Sequence, residues 1–183
     1  YAGVYRFDQV DLLRAAGLGS EDVLEGMDLE IGAGSSRIPV AFSLEGLTLR
    51  TGAVVTPANG GLIRGSVSGT MTVETGARLD VSSLGFPGGN NDDVRGRAPA
   101  GILGSAQDAG GSHGGVGVPF DGGGAGASSY DSVYVPRLAG SGGSRDQDGN
   151  TTGHVGGGVI DLAIGNMVLD GELRSMGRGG RNR

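Results

Sequence analysis

Apolar and polar residues alternate along Leu47-Thr-Leu-Arg-Thr-Gly-Ala-Val-Val55 and again along Met71-Thr-Val-Glu-Thr-Gly-Ala-Arg-Leu79. Alternation puts the apolar residues on one face of an extended strand. Gly-Ala inside each segment turns the chain, so each predicts strand, tight corner, strand. The segments superpose at a constant offset of 24 residues: Leu47 on Met71, Leu49 on Val73, Gly52 on Gly76, Ala53 on Ala77, Val55 on Leu79. A fixed period of this size marks stacked supersecondary units.

Looser copies flank this pair. Met27-Asp-Leu-Glu-Ile31 precedes Leu47-Thr-Leu49 by 20 residues, and Met167-Val-Leu169 with Gly171 and Leu173 carries a corner one residue shorter. The expected fold class is therefore all-β, a right-handed parallel β-helix (solenoid) with corners of unequal length. In the first 25 residues, Tyr5-Arg-Phe7 with Val10 predicts an entry strand. Asp11-Leu-Leu-Arg-Ala-Ala16 predicts at most one helical turn, ended by Gly17 and Gly19.

Between the second and last copies the pattern changes. Residues 85–158 hold 23 of the chain's 41 glycines, with Pro87, Pro99, Pro119 and Pro136 among them. A flexible Gly/Ser linker would have few apolar residues. This stretch instead contains Phe86, Ile102, Leu103, Val116, Val118, Phe120, Tyr130, Val133, Tyr134, Val135 and Leu138. The expectation is an ordered insertion, partly polyproline-II-like, in which missing side chains let backbones approach closely and the apolar residues anchor the segment on the solenoid. The predicted organisation is entry strands and loops over 1–45, solenoid rungs over 46–84, the glycine-rich insertion over 85–158, and a returning rung with a tail cut from a longer protein over 159–183.

Composition narrows the function classes. All 14 basic residues are Arg, against 20 acidic ones, giving a net charge of -6. Such a chain repels phosphate backbones, and its one basic cluster, Arg174, Arg178, Arg181 and Arg183, has no interleaved aromatics, so no nucleic-acid partner is expected. No apolar run reaches membrane-spanning length, so no membrane insertion is expected. The absence of cysteine excludes disulfides, thiolate metal sites and a cysteine nucleophile.

Few residues offer site chemistry. Asp146, Asp148 and Asn150 place oxygen ligands at alternate positions and are the candidate ligands for calcium, the one cofactor considered. The string Asp146-Gln-Asp-Gly-Asn150 departs from the EF-hand, with glycine fourth and Gly157 twelfth, and an Asx-type turn is the expectation it is weighed against. His113 and His154, the only histidines, lack the further ligands a zinc site needs; each is expected to bond a loop carbonyl. Asp92 and Asp93 beside Arg95 and Arg97 have the residue types of a polysaccharide-cleaving site, but adjacent strand residues face opposite ways, so a charged turn is expected. No Gly-x-Ser-x-Gly elbow with triad partners and no Gly-Lys-Ser/Thr phosphate loop is present.

In order, Thr70-Met-Thr-Val-Glu-Thr-Gly-Ala-Arg-Leu-Asp-Val81, Gly85-Phe-Pro-Gly-Gly89, Ser112-His-Gly-Gly115, Tyr130-Asp-Ser-Val-Tyr-Val-Pro136, Gly140-Ser-Gly-Gly143 and Gly156-Gly-Gly-Val-Ile-Asp-Leu162 resemble the glycine-rich parallel β-helix module of large bacterial surface and adhesin-like proteins. The likeness covers about residues 46–177. More loosely, the chain resembles phage adhesins with glycine-rich tips. These resemblances imply an exported, extracellular or cell-surface, non-enzymatic structural or adhesive module. Its partners would be other segments or subunits of a larger assembly, and surface glycans. A carbohydrate-active β-helix enzyme, lyase or hydrolase, and a calcium-stabilised adhesion module are the alternatives.

Overall fold

The computed structural model describes residues 4–5, 9–12, 18–19, 22–119, 124–146 and 152–178. The chain divides into two units: Tyr1–Val81 with Ile160–Arg174, and Ser82–Val159 with Ser175–Arg183. The tail from Ser175 onward thus belongs with the glycine-rich stretch.

The first unit is built of strands, one of which begins at the boundary residue Val159. Those among the described residues are β1 (Val4–Tyr5), β2 (Gln9–Leu12), β3 (Val23–Leu24), β4 (Asp28–Ile31), β5 (Gly34–Ile38), β6 (Ala41–Leu44), β7 (Gly46–Leu49), β8 (Ala53–Pro57), β9 (Leu62–Val73), β10 (Arg78–Asp80), β11 (Val159–Leu169) and β12 (Glu172–Arg174). They form a six-stranded sheet in the order β11-β9-β7-β4-β2, with β6 beside β9, a four-stranded sheet β12-β10-β8-β5, and the pair β1-β3. The recorded registers are parallel.

The repeat appears directly as register: Leu47 faces Met71, Leu49 faces Val73 and Val55 faces Leu79. Its corners are alike as well. The Ala53 amide donates to the Arg50 carbonyl at 2.8 Å, and the Ala77 amide to the Glu74 carbonyl at 2.9 Å. In each of these four-residue turns the third position is a glycine at positive φ, +80° for Gly52 and +77° for Gly76, a conformation that penalises any side chain. Arg50 then ties three layers together. Its Nε and Nη2 donate to the two carboxylate oxygens of Glu30, and its Nη1 to Glu74 Oε1, all at 2.8 Å.

Alternation decides burial. Leu29, Ile31, Leu47, Leu49, Met71, Val73, Val55 and Leu79 are buried, with Leu24, Met27, Ile38, Leu44, Ile63 and Val67 in the same core. Each such aliphatic contributes about 1.5–3 kcal/mol by leaving water. Few of these residues are aromatic, so the core depends on stacked aliphatic columns held in strand register.

The right-handed parallel β-helix expected as the fold class is corrected here. All described regular structure is β and no described residue is helical, but the strands lie in separate parallel sheets of six, four and two rather than in one solenoid. The physical reason is the shortness of the strict repeat. Only the Leu47–Val55 and Met71–Leu79 segments keep the 24-residue step. Leu29 pairs with Leu47 and Ile31 with Leu49, two residues away from the expected alignment on Met27. A two-residue slip keeps the same side chains inward, so burial tolerates it while the rung shortens. The glycine-rich stretch, expected as an excursion from the coil, forms a unit of its own. Of the strand expected at Tyr5-Arg-Phe7 with Val10, Tyr5 lies in β1 and Val10 in β2, and Asp11 and Leu12, expected in a helical turn, lie in strand β2 as well. Residues 6–8 and 13–17 lie outside the described residues.

Candidate functional site

The second unit contains almost no regular strand, yet its backbone is systematically paired. Six consecutive amides, Gly140 to Arg145, all donate outward. Gly140 donates to Gly157, Ser141 to Ser112, Gly142 to Arg97, Gly143 to His154, Ser144 to Ala109 and Arg145 to Val94, each at 2.9–3.0 Å. Successive residues therefore address three different neighbours, and every third residue returns to the same one, three positions earlier along it. A step of three residues is the repeat of polyproline-II backbone, which makes no hydrogen bonds within itself and must find partners elsewhere. The Gly140 and Gly143 carbonyls accept from Phe86 and Gly89, bringing a fourth segment to this axis.

Glycine is required by this packing. A Cβ on Gly142 would collide with the Pro87 carbonyl, and one on Gly156 with the Gly140 carbonyl. Serine takes the role that aliphatic side chains have in the first unit. Ser141 Oγ accepts from the Ser112 amide at 2.6 Å and donates to the Ser112 carbonyl at 2.9 Å. Ser144 does the same with Ala109 at 2.8 and 3.1 Å. Ser105 Oγ reaches the carbonyls of Gly110 and Gly142. All these hydroxyls are buried, and burial without a partner would cost about 1–3 kcal/mol each.

One turn projects from this framework. Asp131, at φ +64°, accepts on Oδ2 from the amides of Arg137 at 2.6 Å and Leu138 at 2.7 Å. The Ser132 hydroxyl accepts from the Tyr134 and Val135 amides at 3.1 Å. His113 Nε2 lies 2.9 Å from the Leu138 carbonyl and 3.3 Å from Asp131 Oδ2, and its ring stands edge-on to Tyr130. The Tyr130 hydroxyl donates to the Ala139 carbonyl at 2.6 Å. Bonding from the Leu138 amide, aided by those of Ser132 and Arg137, holds the Asp131 carboxyl down to about 2, while burial pushes the Tyr130 phenol up.

What this clamp presents is mostly apolar, with Arg137 the exposed charge beside it. Tyr134 is 91% exposed, with Val133 and Val135 beside it in the turn, and Val118 is 77% exposed with Val116 near it in sequence. Exposed aliphatic and aromatic groups on a hydrogen-bonded turn make it the candidate contact surface. This corrects the expectation that the apolar residues of the stretch serve as anchors. Tyr130 is buried and Phe86 and Ile102 are half-buried, whereas Leu103, Val116, Val118, Val133, Tyr134, Val135 and Leu138 face solvent; Phe120 lies outside the described residues.

The other candidates do not converge. Asp146 is described and engaged in an interaction, whereas Asp148 and Asn150 lie outside the described residues. Among the described residues no three or more His, Asp or Glu side chains gather as a metal site. Asp92 and Asp93 sit in a turn whose amides donate to Asn90 Oδ1 at 2.9 and 3.0 Å, and Asp93 pairs with Arg97 at 3.1 Å. His113 bonds the Leu138 carbonyl within the clamp, and the main-chain carbonyl of His154 serves the Gly143 amide. Sequence reasoning passed over Asp131; its signal was an Asp-Ser pair opening a turn that closes after Pro136, since both side chains favour bonding nearby amides. Comparison with family models, curated protein sequences and solved structures returns no match.

Proposed function

We propose that this chain is a non-enzymatic structural and adhesive module of a larger extracellular or cell-surface assembly, and that the turn Asp131–Leu138 makes its adhesive contact. The observation that carries this reading is the exposure of Tyr134 between two exposed valines on a turn whose ends are held by one carboxylate. A side chain so exposed gains nothing in the folded chain by being aromatic. Because the backbone that carries it is held by the turn's hydrogen bonds, the main chain loses little further conformational freedom on binding, which favours affinity. Surface glycans are the fitting target class, because a tyrosine offers a flat apolar ring to the C–H face of a sugar and a hydroxyl to its polar rim.

The test is binding of the labelled whole chain to an array of immobilised glycans, beside Tyr134→Ala. The expected result is binding of a subset of glycans, weakened at least about tenfold in the variant, the effect of losing about 1.4 kcal/mol. No binding by the unmodified chain, or equal binding by the variant, overturns the proposal.

A further inference from the structure

The first unit ends on aliphatic side chains whose counterparts in the preceding strands are buried. The Asp170 amide donates to the Val73 carbonyl just as the Glu74 amide donates to Leu49 and the Arg50 amide to Ile31. Leu169 therefore follows Val73, Leu49 and Ile31 in one column, and Met167 follows Met71, Leu47 and Leu29 in the next. Leu173 pairs with Leu79 in the other sheet. Met71, Val73 and Leu79 are fully buried, while Met167, Leu169 and Leu173 are 37%, 47% and 37% exposed. The residue types are the same; what differs is that no described strand lies beyond β11 and β12, which end their sheets.

Such an edge normally carries charge, proline or a bulge that discourages further pairing. Along its eleven residues β11 has one charged side chain, Asp161, already paired with Arg64 at 2.9 Å, and no proline. At the other end of the same sheet stands β2, where Val10 and Leu12 occupy the first register positions of the two columns, paired with Leu29 and Ile31. The strand pairs β2-β4, β4-β7, β6-β9 and β7-β9 of this sheet are parallel, and β11 runs the same way beside β9, with Asp161 at Arg64, Asn166 at Thr70 and Asp170 at Val73. A β2 strand can therefore follow β11 in the same direction, with Val10 at the next register position after Met167 and Leu12 at the next after Leu169.

We infer that the β11–β12 end is an interface for a second copy of this chain, whose β2 edge adds to β11 in parallel and in register. The contact joins two different edges, so it is head-to-tail and open-ended, giving linear assemblies. It is independent of the turn at Tyr134.

The test is sedimentation velocity of the full chain over a wide concentration range, beside Leu169→Lys, which blocks the β11 edge, and Val10→Lys, which blocks the β2 edge. Met167→Lys is a second block of the β11 edge, and circular dichroism verifies that each variant folds. The chain should grow beyond dimers with concentration, and each blocked variant should be monomeric. An equimolar mixture of Leu169→Lys and Val10→Lys should form dimers of one each, because each retains the edge the other lacks. A monomeric unmodified chain, assembly unaffected by these substitutions, or a mixture that stays monomeric while the unmodified chain assembles overturns the inference.

Discussion

The Asp131 carboxylate holds the amide of Leu138 at 2.7 Å, closing a turn in which the residues between them include the exposed Val133, Tyr134 and Val135. Because amides bond the charged carboxylate, its pKa is depressed to about 2 from the ordinary 3.8. Its contribution is complete above the unfolded value and lost as pH falls through the folded one. The turn should thus hold its order at neutral pH and down to about pH 4, and loosen towards pH 2. Amide exchange at Arg137 and Leu138, taken relative to the intrinsic rate at each pH, measures this, and Asp131→Ala should remove the protection there at every pH.

Gly142→Ala should disrupt the second unit, since its Cβ meets the Pro87 carbonyl, a backbone atom with no side-chain freedom to yield. A loss of about 1–3 kcal/mol or more is expected, as for overpacking elsewhere. Gly115→Ala is the control, because a Cβ there meets nothing within 4 Å and the φ is not in the left-handed region; it should change stability by less than about 0.5 kcal/mol. Urea unfolding followed by tyrosine fluorescence distinguishes them.

Ser141→Ala should cost about 1–3 kcal/mol, although it removes a single oxygen. The Ser112 amide donates to that hydroxyl at 2.6 Å, and its removal leaves a buried donor unpaired. Ser132→Ala, whose hydroxyl serves amides in the exposed turn, should cost less, since water replaces it there. The same urea titration measures both.

In the first unit, Arg50 lowers the pKa of Glu30 and of Glu74, in each case chiefly through its side-chain hydrogen bond. Both carboxylates then favour folding above their ordinary pKa near 4.5, and this is lost as pH falls through the lowered values. Arg50→Met should raise both pKa values, read by carboxyl-carbon NMR titration, and reduce the loss of stability on acidification.

Much of the first unit was legible because hydrophobic alternation and strand register report the same physics. Leu47 on Met71 and Val55 on Leu79, aligned in sequence, are neighbours in the sheets. The misalignment at Met27 arose because a slip of two residues leaves burial unchanged, so alternation cannot detect it. The second unit was less legible. Its order rests on backbone bonds at every residue from Gly140 to Arg145, which serve three neighbours in rotation, and such bonds leave no side-chain periodicity. Glycine doublets and buried serines mark where backbones touch without saying which ones. Tyr130 and Tyr134, four residues apart, are identical in type and opposite in burial; only the clamp at Asp131 separates them.

The glycine-rich unit is a built scaffold that holds the turn from Asp131 to Leu138 in place. Hydrogen exchange at the six amides from Gly140 to Arg145 tests this most directly. Protection at all six, lost together in Gly142→Ala, is the predicted result. Exchange at unstructured-chain rates in the unmodified protein would mean that the unit is not a scaffold.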